Sequence, residues 1–102
     1  MINEANNVRR FCLGKIVATP AALETIRAAG QRPSEFLNQH MRCEWGQLSD
    51  EDKSLNDKAL LDGSRILSAY STNTNKKIWI ITEAEDKNGH RVATTILLPS
   101  EY

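Results

Sequence analysis

The spacing of apolar residues changes once along this chain. As far as residue 63 they recur every three or four positions, and beyond it they alternate. In "ATPAALETIRAAGQ" (18–31), Thr19 is placed to cap a helix, Pro20 suits its first position and Gly30 closes it, with Leu23 and Ile26 on the inward face. "RPSEFLNQHMR" (32–42) restarts a helix at Pro33, and Phe36, Leu37, His40 and Met41 make a core-facing stripe. "SDEDKSLNDKALLDG" (49–63) is the third helix. Ser49 caps it, Asp50, Glu51 and Asp52 suit the positive end of its dipole, Leu55, Ala59 and Leu60 face inward, and Gly63 ends it.

The alternating part holds three strands, "RILSAYS" (65–71), "KKIWIITEA" (76–84) and "RVATTILL" (91–98), rich in β-branched and aromatic residues. "TNTN" (72–75) and "DKNG" (86–89) separate them, and Asn88-Gly89 is a strong hairpin signal. "CLGKIVA" (12–18) adds a short edge strand. The pattern predicts an α+β domain over 12–102, with three N-terminal helices on a three- to four-stranded, mostly antiparallel meander, preceded by a flexible polar arm over 1–11. In the middle strand Ile78, Ile80 and Thr82 share one face, while Lys77, Trp79, Ile81 and Glu83 share the other. Both faces carry large apolar side chains, so the second needs a cover: the N-terminal segment, a helix, or a second copy of the chain.

A chain of 102 residues makes one domain with one core. Thirteen basic residues balance thirteen acidic ones, which argues against a generic binder of nucleic acid or anionic membrane. No uninterrupted apolar run is longer than four residues, so no segment is expected to span a bilayer. Cys12 and Cys43 lack paired spacing and read as reduced thiols of a cytoplasmic protein.

Four segments, "GKIVATPAALE", "WGQLSDEDKSLNDKALLDGSRILSAY", "KKIWIITEA" and "TTILLPSEY", resemble a family of small bacterial plasmid-related proteins, also found on integrating conjugative elements. The similarity runs from Gly14 to Tyr102, and Trp45-Gly46, the run Gly63 to Tyr70 and the ending Leu98 to Tyr102 carry it best. The excursion "EDKNGHRVA" is longer than the link common in that family. The resemblance implies a mobile-element origin and a cytoplasmic home, and no particular activity. Some relatives carry the name of a type I restriction methyltransferase subunit. This chain has five scattered glycines, no Asn-Pro-Pro-Tyr segment and too little length for that fold.

Chemistry concentrates in "HMRCEWGQLSDEDK" (40–53). His40 and Cys43 lie three apart, but a zinc site needs further ligands; Cys12 and His90 lie in unrelated elements, and a complete site requires all four to converge, with Glu44 beside Cys43 as a further donor. Asp50, Glu51 and Asp52 lack the glycine and distal glutamate of a calcium loop. The stretch therefore reads as the joint between two helices, and no metal or cofactor is expected. Ser64, Ser68 and Ser71 have no nucleophile elbow. An alternative is a small RNase-like toxin, with Glu83 and His90 as base and acid and Arg65 and Arg91 holding phosphate on the sheet. A third is an interaction module, in which Trp79, Tyr70 and Tyr102 line an apolar face ringed by Arg65, Lys77 and Arg91. That module suits a protein partner or self-association, or single-stranded nucleic acid by stacking. The expectation adopted is the non-enzymatic one: an accessory protein of a mobile element that works by binding a partner or itself.

Overall fold

Thr19 begins the first helix as its sequence suggests: its hydroxyl accepts the Ala22 N–H at 3.1 Å, and Pro20 follows at the first helical position. The computed structural model describes residues 11–102; the expected arm over 1–11 falls almost wholly outside them. Helices α1 (Pro20–Ala28), α2 (Pro33–Met41) and α3 (Asp50–Asp62) lie between strand β1 (Lys15–Ala18) and strands β2 (Ile66–Ser71), β3 (Lys77–Thr82) and β4 (Ala93–Leu97). Ser49 caps α3 by accepting the Asp52 N–H at 3.1 Å, and Gly63 stops it with left-handed backbone.

The fold is α+β with three helices and one four-stranded sheet, in the order β1-β4-β3-β2. Two parts of the sequence reading need correction. The helices do not all precede the sheet, because β1 comes first, and the sheet is mixed rather than a pure meander. β2, β3 and β4 are antiparallel neighbours, but β1 pairs parallel with β4, Lys15 opposite Ala93 through Ala18 opposite Ile96. The physical reason is the long helical crossover. It delivers the chain to the far edge at β2, and two hairpin turns then carry it back until β4 lies beside β1.

One sheet face is covered by helices. Ile78, Ile80 and Ile96 pack there against Ala22 and Ile26 of α1 and Phe36 of α2, all at most 2% exposed. Each large aliphatic side chain buried this way stabilises the fold by roughly 1.5–3 kcal/mol. Ala22 rather than Leu23 faces inward, since the small side chain lets α1 sit close to the sheet, and Leu23 is left 41% exposed. In α3, Asn56 and Ala59 turn inward while Leu55 is 62% exposed, against the expectation for Leu55.

The cause is where α3 lies. It runs along the open edge of β2, where backbone hydrogen-bonding groups need partners, while Ala59 joins Trp45 and Ile66 in a second buried cluster. The Asn56 amide donates to the Leu67 carbonyl at 2.7 Å and accepts the Leu67 N–H at 3.1 Å. One step along the same edge, the Ala69 N–H donates to the Trp45 carbonyl at 3.1 Å and the Ala69 carbonyl accepts the Gln47 N–H at 2.7 Å. The edge of β2 is thereby closed. Gly46 sits in this seam with φ of 81°, and a Cβ there would lie 1.9 Å from the Ala69 carbonyl oxygen. That close approach explains the Trp45-Gly46 pair.

Candidate functional site

Strand alternation decides which of the expected residues meet. Ile66, Ser68 and Tyr70 point to the helix side of β2, so Arg65 and Leu67 belong to the other side, with Trp79 and Ile81 of β3. A 3₁₀ turn at Pro99–Glu101 folds the chain end over this second face. Glu101 secures the turn: its carboxylate accepts the Thr19 hydroxyl at 2.7 Å and the Leu98 N–H at 2.9 Å. Those bonds, the Leu98 one foremost, hold the Glu101 carboxyl below its ordinary range.

Tyr102 is docked by this turn onto Trp79, ring centroids 5.6 Å apart and edge to face. Arg65 donates to the Tyr102 hydroxyl, and its guanidinium carbon lies 5.3 Å from the Tyr102 ring centroid. Ile81, in register between Arg65 and Trp79, is only 4% exposed, yet Tyr102 itself remains 63% exposed. The cluster is thus fixed from below and open above. Lys77, at the far end of the same strand face, donates to the Gln47 side chain at 3.4 Å, which also accepts the Ser71 hydroxyl at 2.8 Å.

Arg65 also lines a groove of about 230 Å³ between α3 and β2, with Leu48, Asp52, Leu55, Asn56 and Leu67. Asp50 and Glu51, beside Asp52 and Leu55, rim a second, shallower opening on the same helix. The site is therefore an aromatic and cationic ledge beside a groove of mixed leucine and polar lining with an acidic lip.

Of the expected binding set, Trp79, Arg65 and Tyr102 meet, and Lys77 flanks them. Tyr70 does not join. Its ring is buried on the opposite face, 5.8 Å from Phe36, and its hydroxyl donates to the Glu44 carbonyl at 2.7 Å, so burial pushes its pKa up. The residues of the nuclease alternative are dispersed. Glu83 is exposed on the second face and His90 is exposed in the hairpin, where its N–H donates to the Asp86 carboxylate at 2.9 Å. Arg91 is 5% exposed and turned inward, donating to the carbonyls of Ser64 at 2.7 Å, Glu83 at 3.0 Å and Ala59 at 3.0 Å. Its role as a rim or phosphate-holding cation is corrected accordingly: it ties the end of α3 to the starts and ends of two strands.

His40 has a role that sequence reasoning missed. The side chain is fully buried, its Nδ1 lies 2.6 Å from the Ser68 hydroxyl, and its Nε2 lies 2.8 Å from the Thr82 hydroxyl. Thr82 meets the Thr94 hydroxyl at 2.7 Å, and Thr94 donates to the Leu13 carbonyl at 2.7 Å. The last bond sets the direction of the whole chain. Thr94 gives its proton to Leu13, so it accepts from Thr82, which accepts from His40 Nε2–H, leaving Nδ1 to accept from Ser68. Imidazole in this chain is neutral, and burial lowers its pKa to about 3. The signal available was a serine or threonine on the helix-facing side of each of three neighbouring strands, Ser68 in β2, Thr82 in β3 and Thr94 in β4.

Among the described residues no group of three or more histidine, cysteine or acidic side chains is arranged to hold a metal ion, and no helix is long and apolar enough to cross a membrane. Compared with family models, curated proteins and solved structures, the chain has no match.

Proposed function

We propose that this protein is a non-catalytic association module, an accessory protein of a plasmid or integrated mobile element that acts in the cytoplasm by holding another protein. The observation that carries the reading is the Arg65–Tyr102–Trp79 ledge beside the Leu55 groove. Aromatic side chains and arginine, pre-positioned and partly exposed, are the residues that anchor protein interfaces. Here they are held by contacts within the chain, which reduces the ordering cost of binding.

The groove's lip favours protein over nucleic acid. Stacking of Trp79 and Tyr102 suits unpaired bases, but Asp50, Glu51 and Asp52 beside Leu55 repel a phosphate backbone. In the catalytic alternative Arg91 is already engaged with three carbonyls, which leaves Arg65 as its one available cation. The mobile-element setting rests on the resemblance of the segments from Gly14 to Tyr102.

Sedimentation of gentle extracts from cells that make the protein tests the reading. The chain is expected to travel in a particle larger than the purified protein forms, and Leu55→Asp, which places a charge in the groove, is expected to return it to the purified size. Identical sedimentation of wild type and variant at the purified size contradicts the proposal.

A further inference from the structure

The two edges of the sheet are treated differently. At β2 every outward backbone group near the middle of the strand has a partner, supplied by Asn56, Trp45 and Gln47. At β1, the Lys15 N–H donates to the Val92 carbonyl at 2.9 Å and the Thr19 N–H to the Ile96 carbonyl at 3.0 Å. Lys15, Val17 and Thr19 therefore direct their backbone groups toward β4, and by alternation Ile16 and Ala18 direct theirs away from the sheet. Among the described residues nothing meets those four groups. The side chains around them are apolar and exposed, Ile16 at 49% and Val17 at 37%. An open edge with apolar flanks is a template for another strand.

We propose that the occupant is a second copy of this chain, its β1 paired antiparallel with the first about a two-fold axis at Val17. One register uses every free group. Ile16 lies opposite Ala18 of the second copy, and Ala18 opposite Ile16 of the second copy, so two hydrogen-bonded pairs exchange four bonds. Val17 then faces Val17 of the second copy across the axis, and two four-stranded sheets become one of eight strands.

Charge complementarity selects a copy of this chain over an unrelated strand. In the same register Lys15 falls opposite Thr19 of the second copy. The Thr19 hydroxyl holds Glu101 at 2.7 Å, and Lys15 and Thr19 share the face over which the chain end folds. Each Lys15 ammonium is thus brought beside the fixed Glu101 carboxylate of the other copy, twice over by symmetry. In a second copy that acid is already fixed in place by Thr19, whereas an unrelated strand supplies one there only by chance. This surface lies at the opposite edge of the sheet from the Leu55 groove, so the two can be tested apart.

Light scattering of the purified full chain over a range of concentrations is expected to approach twice the 11.5 kDa chain mass. Ile16→Pro removes only an outward N–H that no neighbour uses, a place where an edge strand accepts proline, and is expected to stay folded by circular dichroism and become monomeric. Leu55→Asp is expected to remain dimeric. Val17→Cys places two thiols across the axis, and mild oxidation is expected to link most of the protein into covalent dimers. Wild type, which retains Cys12 and Cys43, and Lys15→Cys are expected to link far more slowly. A mass that stays monomeric at every concentration overturns the proposal. So does a dimer that survives Ile16→Pro, or a Val17→Cys variant that links no faster than wild type; a dimer lost in Leu55→Asp moves self-association to the groove.

Discussion

His40 Nδ1 lies 2.6 Å from the Ser68 hydroxyl, and solvent reaches neither side chain. A histidine and a serine at that distance resemble half of a hydrolytic centre. The other ring nitrogen is engaged by Thr82 and no substrate path leads to the serine, so the pair is a bolt between α2 and the sheet. Its buried hydrogen bonds select one register among the strands, since each strand must present its hydroxyl at the right level.

The bolt makes stability depend on pH. In the unfolded chain the imidazole takes up a proton below about 6.5, while the folded protein resists protonation until about 3. The unfolded state therefore binds more protons in the interval between, and stability falls as pH drops from 6.5 toward 3, with no further gain above 6.5. The slope is about 1.4 kcal/mol per pH unit, which gives a loss of about 2 kcal/mol by pH 5. Urea titrations at pH 7 and pH 5 measure it, and His40→Gln is expected to flatten the dependence. Equal slopes in both proteins contradict the account of His40.

Asn56 is expected to matter more than its exposed leucine neighbour. Asn56→Ala leaves the Leu67 N–H and carbonyl without partners at a strand edge, costing about 2 kcal/mol and exposing a template for aggregation. Leu55→Ala, at a site 62% exposed, is expected to change the unfolding midpoint by little. Thermal melts and turbidity of the two variants decide between them.

Gly46→Ala is expected to be among the worst single substitutions in the chain. A methyl there meets the Ala69 carbonyl at 1.9 Å and the Tyr70 ring at 2.8 Å, in backbone with φ of 81°. The cost is more than about 3 kcal/mol, enough to remove most of the folded population. Gly89→Ala in the hairpin has a similar φ of 80° but nothing within 4 Å, so only the backbone penalty of about 1 kcal/mol applies. Soluble yield and melting temperature of the pair measure the contrast.

Removing Tyr102 tests the ledge. Trp45 is 5% exposed and its indole donates to Asp57 at 3.0 Å, so its emission is expected to stay constant. Trp79 loses its edge-to-face neighbour, and the protein's emission maximum is expected to shift to longer wavelength with the melting temperature nearly unchanged. An unshifted spectrum means that Tyr102 does not sit on Trp79 in solution.

Much of this fold was legible because its signals are local. Thr19 and Ser49 cap helices, Pro20 and Pro33 open them, Gly63 closes one, and the alternation around Trp79 marks a strand covered on both faces. The parallel pairing of β1 with β4 was not legible, because nothing near Lys15 or Ala93 encodes a neighbour so far along the chain. Leu55 was misplaced for a related reason. Periodicity assumes that a helix packs on grease, whereas α3 packs on a strand edge and turns an amide to it. Tyr70 belongs to the other face because the register across the turn was not legible: a four-residue turn over 72–75 sets Tyr70 opposite Lys77, whereas it pairs with Ile78, one step from Trp79, and its side chain points the other way. The Arg65–Tyr102 contact joins residues at two ends of the alternating segment and needed the 3₁₀ turn to bring them together.

In-cell photo-crosslinking from Leu55 tests the central claim most directly. With a photoreactive residue at that position, illumination is expected to yield discrete heavier bands containing this chain and a second protein, and Arg65→Ala in the same chain is expected to remove them. Illumination that returns only the uncoupled chain, or the same bands with and without Arg65, contradicts the account.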